Sequence, residues 1–277
     1  MLPCSGTKHS KTGIMKKKKT QRQQGDEPAP KVPKAPKKIL VIDIGGSRIK
    51  FLRTGESEPK KMASGKRMTP KKMVQKVKQL LLEEDYEAVS IGYPGLVGPQ
   101  GPRSEPGNLG SGWVGFDFPA AFECPVRIIN DATMQALGSY EGGRMLFLGL
   151  GTGLGSTFVA ENVLVPLELG RLLYREEETL GALLGLAGLQ RLGKEAWREI
   201  INKTVASLTD VFQADYVVLG GGNAKFLKDL PHGTRRGHNL TVFRGGFRLW
   251  NFEDVPTLLE EVIPVCPQPS DAKWRIL

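Results

Sequence analysis

The sequence lacks the features that mark membrane-spanning, secreted and zinc-binding proteins. No run approaches the roughly 18 consecutive apolar residues of a membrane span, and the N-terminus has no apolar segment like that of a secretory signal. The three cysteines, Cys4, Cys124 and Cys266, are odd in number and far apart, so they predict neither a disulfide framework nor a zinc site. We therefore expect a cytoplasmic protein without membrane association.

Acidic residues are scarce near the N-terminus, and this scarcity accounts for most of the net charge of +10. Residues 1–38 contain eleven lysines and arginines but only two acids, so they carry +9 and leave +1 for the remaining 239 residues. Prolines at 28, 30, 33 and 36 and almost no large apolar side chains predict a disordered basic tail. It is either a nonspecific contact for polyanions such as nucleic acid or polyphosphate, or only a solvated extension.

Glycine, by contrast, is abundant, with 34 residues, and three glycine-rich segments follow predicted strands. They are residues 43–50, 148–155 and 217–223. Glycine permits sharp turns and close approach of the backbone to a ligand, and successive backbone N–H groups can cradle phosphate oxygens. Three such turns in one chain predict a phosphate-handling cleft between two α/β lobes.

These segments supply the candidate phosphate-binding residues. Asp43 is also the candidate for holding hydrated Mg²⁺, which proteins bind through one or two carboxylates together with substrate phosphates. In the second segment we expect the glycines to leave their amides open and Thr152 to offer a hydroxyl. Lys50 either counters phosphate charge or only faces solvent. The full set is Asp43, Gly45, Gly46, Ser47, Lys50, Gly151, Thr152, Gly153, Gly155, Gly220, Gly221 and Gly222.

Asp131 is the candidate catalytic residue. It follows a predicted strand at residues 126–129, and α/β proteins bind ligands beyond the carboxyl ends of their strands. A carboxylate there can accept the proton of a substrate hydroxyl as that hydroxyl attacks a phosphoryl group. Asn130 beside it can hydrogen-bond a neighbouring hydroxyl. The alternative is that the Asn-Asp pair only caps the following helix.

Strands alternate with helical patterns along the rest of the chain, which predicts α/β layers. Residues 94–118 form a long loop, rich in glycine and proline, whose three aromatic residues predict that it packs. The other predicted elements are a hairpin arm at 50–55, strands at 86–93, 145–150, 155–159 and 216–219, and helices at 70–84, 132–140, 180–202, 203–212, 223–230 and 256–262.

The three glycine-rich segments are similar to the phosphate motifs of ROK-family sugar kinases, which belong to the actin-like ATPase superfamily. Further blocks resemble the polyphosphate glucokinase branch of that family. They are residues 90–95, 105–110, 112–118, 130–132, 138–140, 166–170 and 245–250, so that the similarity runs from about residue 39 to residue 250.

This resemblance implies an α/β, two-lobed, actin-like ATPase (ribonuclease H-like) kinase fold, with lobes at residues 39–130 and 131–277 and an interlobe cleft. It implies Mg²⁺-dependent transfer of a phosphoryl group from polyphosphate, ATP or both to the 6-hydroxyl of glucose, giving glucose 6-phosphate. A homodimer is usual among the relatives. Asp131 matches the family's catalytic base, while Asn108, Asn130, Asp131 and Glu168 match positions that hold sugar hydroxyls.

Two positions depart from the family pattern. Arg171 stands where relatives have a sugar-binding histidine, and Gly181 stands where they have a glutamate that also touches the sugar. Each lost contact to a hydroxyl costs about 1–3 kcal/mol, or roughly ten- to hundredfold in affinity or rate. Arg171, which offers donors only, can clash with a neutral sugar or favour an anionic one. The alternative functions are therefore a degenerate ROK protein with weak or no kinase activity, or a kinase with altered sugar specificity.

Overall fold

The computed structural model describes residues 36–82, 85–175, 177–251 and 274–277. The chain divides into two compact units, Met1–Lys34 and Ala35–Leu277, and all described residues belong to the second. Most of the predicted tail, and the helix predicted at 256–262, thus lie outside the described residues. Within those residues, no helix combines the length and the apolar character needed to cross a membrane.

The second unit is a mixed α/β structure. Its strands are β1 Ile39–Ile44, β2 Arg48–Arg53, β3 Lys60–Ala63, β4 Ala88–Tyr93, β5 Val97–Gly98, β6 Gly101–Pro102, β7 Val126–Asn130, β8 Met145–Leu150, β9 Leu154–Ala160, β10 Val163–Leu167, β11 Leu173–Arg175, β12 Glu178–Thr179, β13 Tyr216–Gly220, β14 Thr234–Arg236 and β15 Arg275–Ile276. Its α-helices are α1 Pro70–Leu81, α2 Phe118–Phe122, α3 Asp131–Ser139, α4 Leu180–Leu184, α5 Leu186–Phe212 and α6 Thr241–Arg248. Two 3-10 turns occupy Leu169–Arg171 and Ala224–Phe226.

The two larger sheets share one arrangement of antiparallel and parallel strands. The first has the strand order β3-β2-β1-β4-β7 and the second β14-β13-β8-β9-β10-β15. Each begins with an antiparallel hairpin, β1–β2 or β8–β9, and continues with parallel strands, β4 and β7 or β13 and β14. Since parallel strands end at the same edge, Asp43 and Asn130 meet at one edge of the first sheet. The second and third glycine-rich segments meet at an edge of the second.

The helices α3 and α6 form the centre of the molecule. α3 packs against strands of both sheets, and α6 packs against α3, β1 and β4. The two helices touch backbone to backbone. A Cβ atom on Gly138 would lie 1.7 Å from the carbonyl oxygen of Thr241, and one on Gly245 would lie 1.8 Å from that of Met134. Nη1 of the buried Arg248 donates to two carbonyls at the end of α3, each at 2.8 Å.

The outer faces of the two sheets are covered by the remaining helices. Met73 and Val77 of α1 join the core of the first sheet, where the helix begins as predicted at Pro70 and ends at Leu81. The long loop packs as predicted, because Trp113 and Phe118 are buried in the same core. α4 and α5 cover the second sheet.

Three predicted helices were wrong in their bounds. The pair at 180–202 and 203–212 is instead α4, a break at Gly185, and α5, which runs without interruption past residue 203. Gly193 kinks α5 with φ at 75°, a conformation that glycine adopts readily. The helix predicted at 223–230 is only the turn Ala224–Phe226. Short or edge strands such as β3, β10 and β14, and helix α6, were missed.

Candidate active site

The first glycine turn joins β1 to β2 and carries Asp43. Asp43 and Lys50 are paired across the hairpin, and the Lys50 Nζ lies 3.4 Å from Asp43 Oδ2. Burial raises the pKa of Asp43, and Lys50 opposes that rise. The side chain keeps 18% of its surface exposed, which leaves room for a ligand. The Gly45 N–H donates to the Arg48 carbonyl at 3.0 Å. This amide is therefore not open to phosphate, contrary to the expectation for this turn.

Asn108 lies against the same turn. A Cβ atom on Gly46 would be 3.1 Å from the Cβ atom of Asn108, so a side chain there would crowd Asn108. The neighbouring Gly110 N–H donates to the Met68 carbonyl at 2.9 Å and ties the loop to the start of α1. The structure thus brings a predicted sugar-binding residue next to a predicted phosphate-binding turn.

The second and third glycine-rich segments are clamped together by Asn223. Its N–H donates to the Leu150 carbonyl at 2.9 Å, and its Nδ2 donates to the Gly151 carbonyl at 2.8 Å. Gly221 adopts φ of +81°, and a Cβ atom there would lie 2.4 Å from the Leu150 oxygen. Asn223 is buried, and sequence reasoning did not single it out as a site residue.

The turn at residues 151–153 uses part of its own hydrogen-bonding capacity. The Gly151 N–H donates to the Gly153 carbonyl at 3.0 Å, so the expectation that its amide stays open was wrong. The Leu186 N–H at the start of α5 donates to the Gly151 carbonyl at 3.0 Å. A Cβ atom on Gly185 would lie 2.5 Å from the Thr152 carbonyl oxygen. The N-terminus of α5, which favours negative charge, therefore lies directly against this turn.

Asn130 and Asp131 have different local roles. Asn130 is the N-cap of α3: its Oδ1 accepts from the Thr133 N–H at 3.2 Å, and its Nδ2 donates to the Gly95 carbonyl at 3.2 Å. Both ends of this amide are thus engaged before any sugar binds. Asp131 is the first residue of α3, and its Oδ1 accepts from the Ala132 N–H at 2.8 Å. The N-cap itself is Asn130.

Asp131 lies in an environment that disfavours its charge. Burial raises its pKa, the carboxylate of Asp43 raises it further, and Glu168 adds a smaller rise, so that the value reaches about 7. The three carboxylates are therefore near enough to interact. Gly92 of β4 packs against the start of α3, and a Cβ atom there would lie 3.4 Å from the Asp131 Cα and 2.5 Å from the Met134 Cε.

Glu168 and Arg171 form an exposed ion pair on one 3-10 turn. Arg171 Nε lies 3.4 Å from Glu168 Oε2, with side chains 72% and 53% exposed. Ser156 holds the turn, since its Oγ donates to the Leu167 carbonyl at 2.9 Å and accepts from the Leu169 N–H at 3.1 Å. The carboxylate predicted to bind sugar hydroxyls therefore already has a cationic neighbour.

Gly181 packs against this turn and leaves no room for a side chain. A Cβ atom on Gly181 would lie 2.8 Å from the Gly170 carbonyl oxygen, which is backbone and cannot rotate away. A glutamate at residue 181 thus requires a backbone shift. Glycine instead of glutamate at residue 181 is thus explained by the close packing of α4 on the turn that carries Glu168 and Arg171.

A cavity of about 510 Å³ opens beside the glycine turns, with Gly221 and Gly222 in its wall. Its lining is strongly basic and includes one acid, Glu58, and no Phe, Tyr or Trp. Only Lys50 among the basic residues was a sequence-based candidate. His238 Nδ1 accepts from the Leu240 N–H at 3.2 Å, and burial lowers the pKa of this histidine. The basic side chains are Lys50, Lys61, Lys225, Arg236 and His238.

The residues present fit a magnesium ion that arrives with phosphate. Within the described ranges no three His, Cys, Asp or Glu side chains converge as a metal-ligating group. Mg²⁺ needs no such group, because it keeps several waters and is held by one or two carboxylates plus substrate phosphates. Asp43 supplies a partly exposed carboxylate next to the glycine turns and the basic cavity.

Comparison with known proteins places this geometry in a familiar fold. No protein-family model matches the chain, and no curated protein matches its sequence. Among solved structures, an inorganic polyphosphate/ATP-glucomannokinase from Arthrobacter sp. strain KM aligns with TM-score 0.64 and 22% identity, over 75% of this chain and 96% of that one. A ROK family protein from Streptococcus pneumoniae TIGR4, in complex with sucrose, aligns with TM-score 0.64 and 16% identity, over 77% and 97%.

A ROK family glucokinase from Streptomyces griseus, in complex with glucose and AMPPNP, aligns with TM-score 0.54 and 17% identity, over 75% of this chain and 97% of that one. The chain has the two-lobed, actin-like ATPase fold. The predicted fold class is thereby confirmed. At these identities the likeness establishes the fold alone, so the roles of the site residues and membership in the polyphosphate glucokinase branch stay predictions.

Proposed function

We propose that this protein is a sugar kinase that transfers a phosphoryl group to the 6-hydroxyl of glucose. Asp131, when ionised, accepts the proton of that hydroxyl as its oxygen attacks the phosphoryl group. The single observation that carries the proposal is the raised pKa of Asp131, about 7, at a strand end beside two further carboxylates. A base whose pKa lies near the working pH combines a useful ionised fraction with a strong drive to accept a proton.

The donor is inorganic polyphosphate or ATP, bound by the glycine turns and the basic cavity. The cationic cavity lining favours polyphosphate, and the lining contains no Phe, Tyr or Trp, so that His238 is its one ring for stacking on a nucleobase. The α5 N-terminus against residues 151–153 adds positive potential for a phosphate group. Mg²⁺ held by Asp43 supplies charge neutralisation for the phosphates when bound. The homodimer and the lobe boundaries at residues 39–130 and 131–277 remain part of the proposal.

The test is formation of glucose 6-phosphate from glucose and Mg²⁺, with polyphosphate and ATP as separate donors. We expect product with at least one donor and, given the cavity, a higher kcat/KM with polyphosphate. EDTA is expected to abolish turnover. A folded sample that forms no sugar phosphate from glucose with either donor contradicts the proposal.

A second candidate is a sugar- or phosphate-binding protein with little catalysis, and the Arg171–Glu168 ion pair favours it. The pair occupies a carboxylate that the proposed kinase needs for sugar hydroxyls. Replacing Arg171 with histidine frees Glu168 without disturbing the backbone, unlike a glutamate at Gly181. If the pair suppresses a kinase, Arg171→His lowers the KM for glucose about tenfold. Inactivity in both forms, with sugar binding retained, favours the second candidate.

A further inference from the structure

The sequence contains a second basic segment, hidden within a folded body whose net charge is close to zero. Residues 59–82 have eight lysines and arginines and no acid. Because the 239 residues after the tail carry only +1, the rest of that body carries −7. The near-neutral charge of the body therefore conceals a strongly basic segment. Such charge asymmetry produces a local positive field that attracts polyanions.

Residues 59–82 form β3, the connection that follows it and α1. Two of its lysines have acidic partners, since Lys60 pairs with Glu56 and Lys78 with Glu123. The other six basic side chains are exposed and make no ion pair with an acid among the described residues. We call these six the basic face: Lys61, Lys66, Arg67, Lys71, Lys72 and Lys76.

The first turn of α1 carries positive side chains at the end of the helix where the dipole is also positive. Thr69 caps the helix, and no acidic residue lies in the first turn, whereas Lys71 and Lys72 do. Positive side chains at a helix N-terminus are unfavourable, and anions are favourable there. A bound anion is therefore favoured at this end of α1, beside Lys71 and Lys72.

The basic face begins at the cavity and then follows the chain into α1. Lys61 lines the cavity and is paired across β2–β3 with Lys50. The connection after β3 then passes the first glycine turn, where the Ser64 N–H donates to the Ser47 carbonyl at 3.0 Å. Lys66 and Arg67 follow in this connection, which leads directly into α1.

We propose that the basic face binds the distal part of a long inorganic polyphosphate chain whose end occupies the cavity. This inference rests on the proposed phosphate-chain donor. The face would raise affinity for long chains through successive phosphate contacts, without touching the sugar. Short donors, which end within the cavity, would gain nothing from it.

The test neutralises Lys66, Arg67 and Lys71 together, as Lys66→Gln, Arg67→Gln and Lys71→Gln, and measures binding of long-chain polyphosphate and of triphosphate at several salt concentrations. A matched control removes the same charge elsewhere, as Arg175→Gln, Lys194→Gln and Lys203→Gln. Each phosphate contact on a single-stranded polyanion adds about 0.7 to the slope of log Kd against log salt. We expect the slope for long polyphosphate to fall by about 2 and the affinity by about tenfold or more at low salt.

Triphosphate binding and its turnover are expected to be unchanged in this variant, and the control is expected to match the wild type. Equal binding of long polyphosphate by the variant and the wild type at every salt concentration overturns the inference. So does a variant that loses affinity for duplex DNA or RNA but keeps it for polyphosphate. Binding is read separately from turnover. Loss of long-chain affinity in a protein that makes no sugar phosphate would therefore support the basic face and contradict only the proposed kinase.

Discussion

Replacing Asp131 with asparagine removes an ionisable group from a place that disfavours its charge, so we expect the variant to be more stable than the wild type at neutral pH. Burial, with added contributions from Asp43 and Glu168, raises the pKa of Asp131 from 3.8 to about 7. Asparagine keeps an oxygen that can accept from the Ala132 N–H, as Asp131 Oδ1 does at 2.8 Å. The substitution therefore changes the charge and little else.

The sign and size follow from proton linkage. Below about pH 4 the carboxyl is protonated in both folded and unfolded chains and has no pH-dependent effect. Between about pH 4 and pH 7 it ionises only when the chain unfolds, so the wild type loses stability as the pH rises. Each unit of separation between the two pKa values is worth about 1.4 kcal/mol, which gives a gain for Asp131→Asn of up to about 4 kcal/mol above pH 7.

The assay is urea denaturation of the wild type and Asp131→Asn at pH 5, 6, 7 and 8. Asp117→Asn serves as the matched control, because Asp117 also lies at a helix start but is exposed to solvent. We expect the advantage of Asp131→Asn to grow from pH 5 to pH 7 and then level off, while the control shows no such growth. An advantage that stays constant with pH, or that shrinks as the pH rises, refutes the reasoning about this site.

Three further predictions concern the centre of the fold, the donor cavity and the chemistry. Gly138→Ala places a Cβ atom 1.7 Å from the Thr241 carbonyl oxygen and should destabilise the fold by about 3 kcal/mol or more, whereas Gly107→Ala, with open space around it, should leave the melting temperature nearly unchanged. Lys225→Gln should raise the KM for polyphosphate several-fold without changing that for glucose; an unchanged KM for polyphosphate would exclude Lys225 from the donor site. In steady-state assays, kcat should rise with pH through about 7, since Asp131 must be ionised to accept a proton.

Local patterns in the sequence predicted the parts of the site that local structure creates. The first glycine turn follows β1, and Asp131 follows β7, as the apolar strand patterns indicated. The sequence could not show that Asn130 has both ends of its amide engaged, because one partner, Gly95, lies 35 residues away. The same holds for Asn223, whose clamp depends on the docking of two strands that are far apart in sequence.

The basic cavity was missed because its lining comes from separated segments. Lys61 lies on an edge strand, while Lys225, Arg236 and His238 follow β13, with over 150 residues between the two groups. The basic segment at residues 59–82, in contrast, has a local signal in the sequence. The net charge of the whole body conceals this segment, and a charge count over short windows reveals it.

Helix α6 shows how packing can override local propensity. It contains two adjacent glycines, which are poor helix formers, and two arginines that are fully buried. Gly245 permits backbone contact with α3, and a Cβ atom on Gly246 would lie 2.3 Å from Val41 Cγ1. Only the tertiary structure explains why a helix forms there, so the local sequence pattern did not predict it.

The most direct test of the central claim measures sugar phosphate formed from glucose by the wild type and by Asp131→Asn, with polyphosphate and with ATP, between pH 5 and pH 9. We expect turnover by the wild type that rises through about pH 7, and almost none by a folded and stabilised Asp131→Asn at any pH. Turnover by Asp131→Asn at the wild-type rate, or a wild-type rate independent of pH across this range, would contradict the assignment of Asp131 as the base.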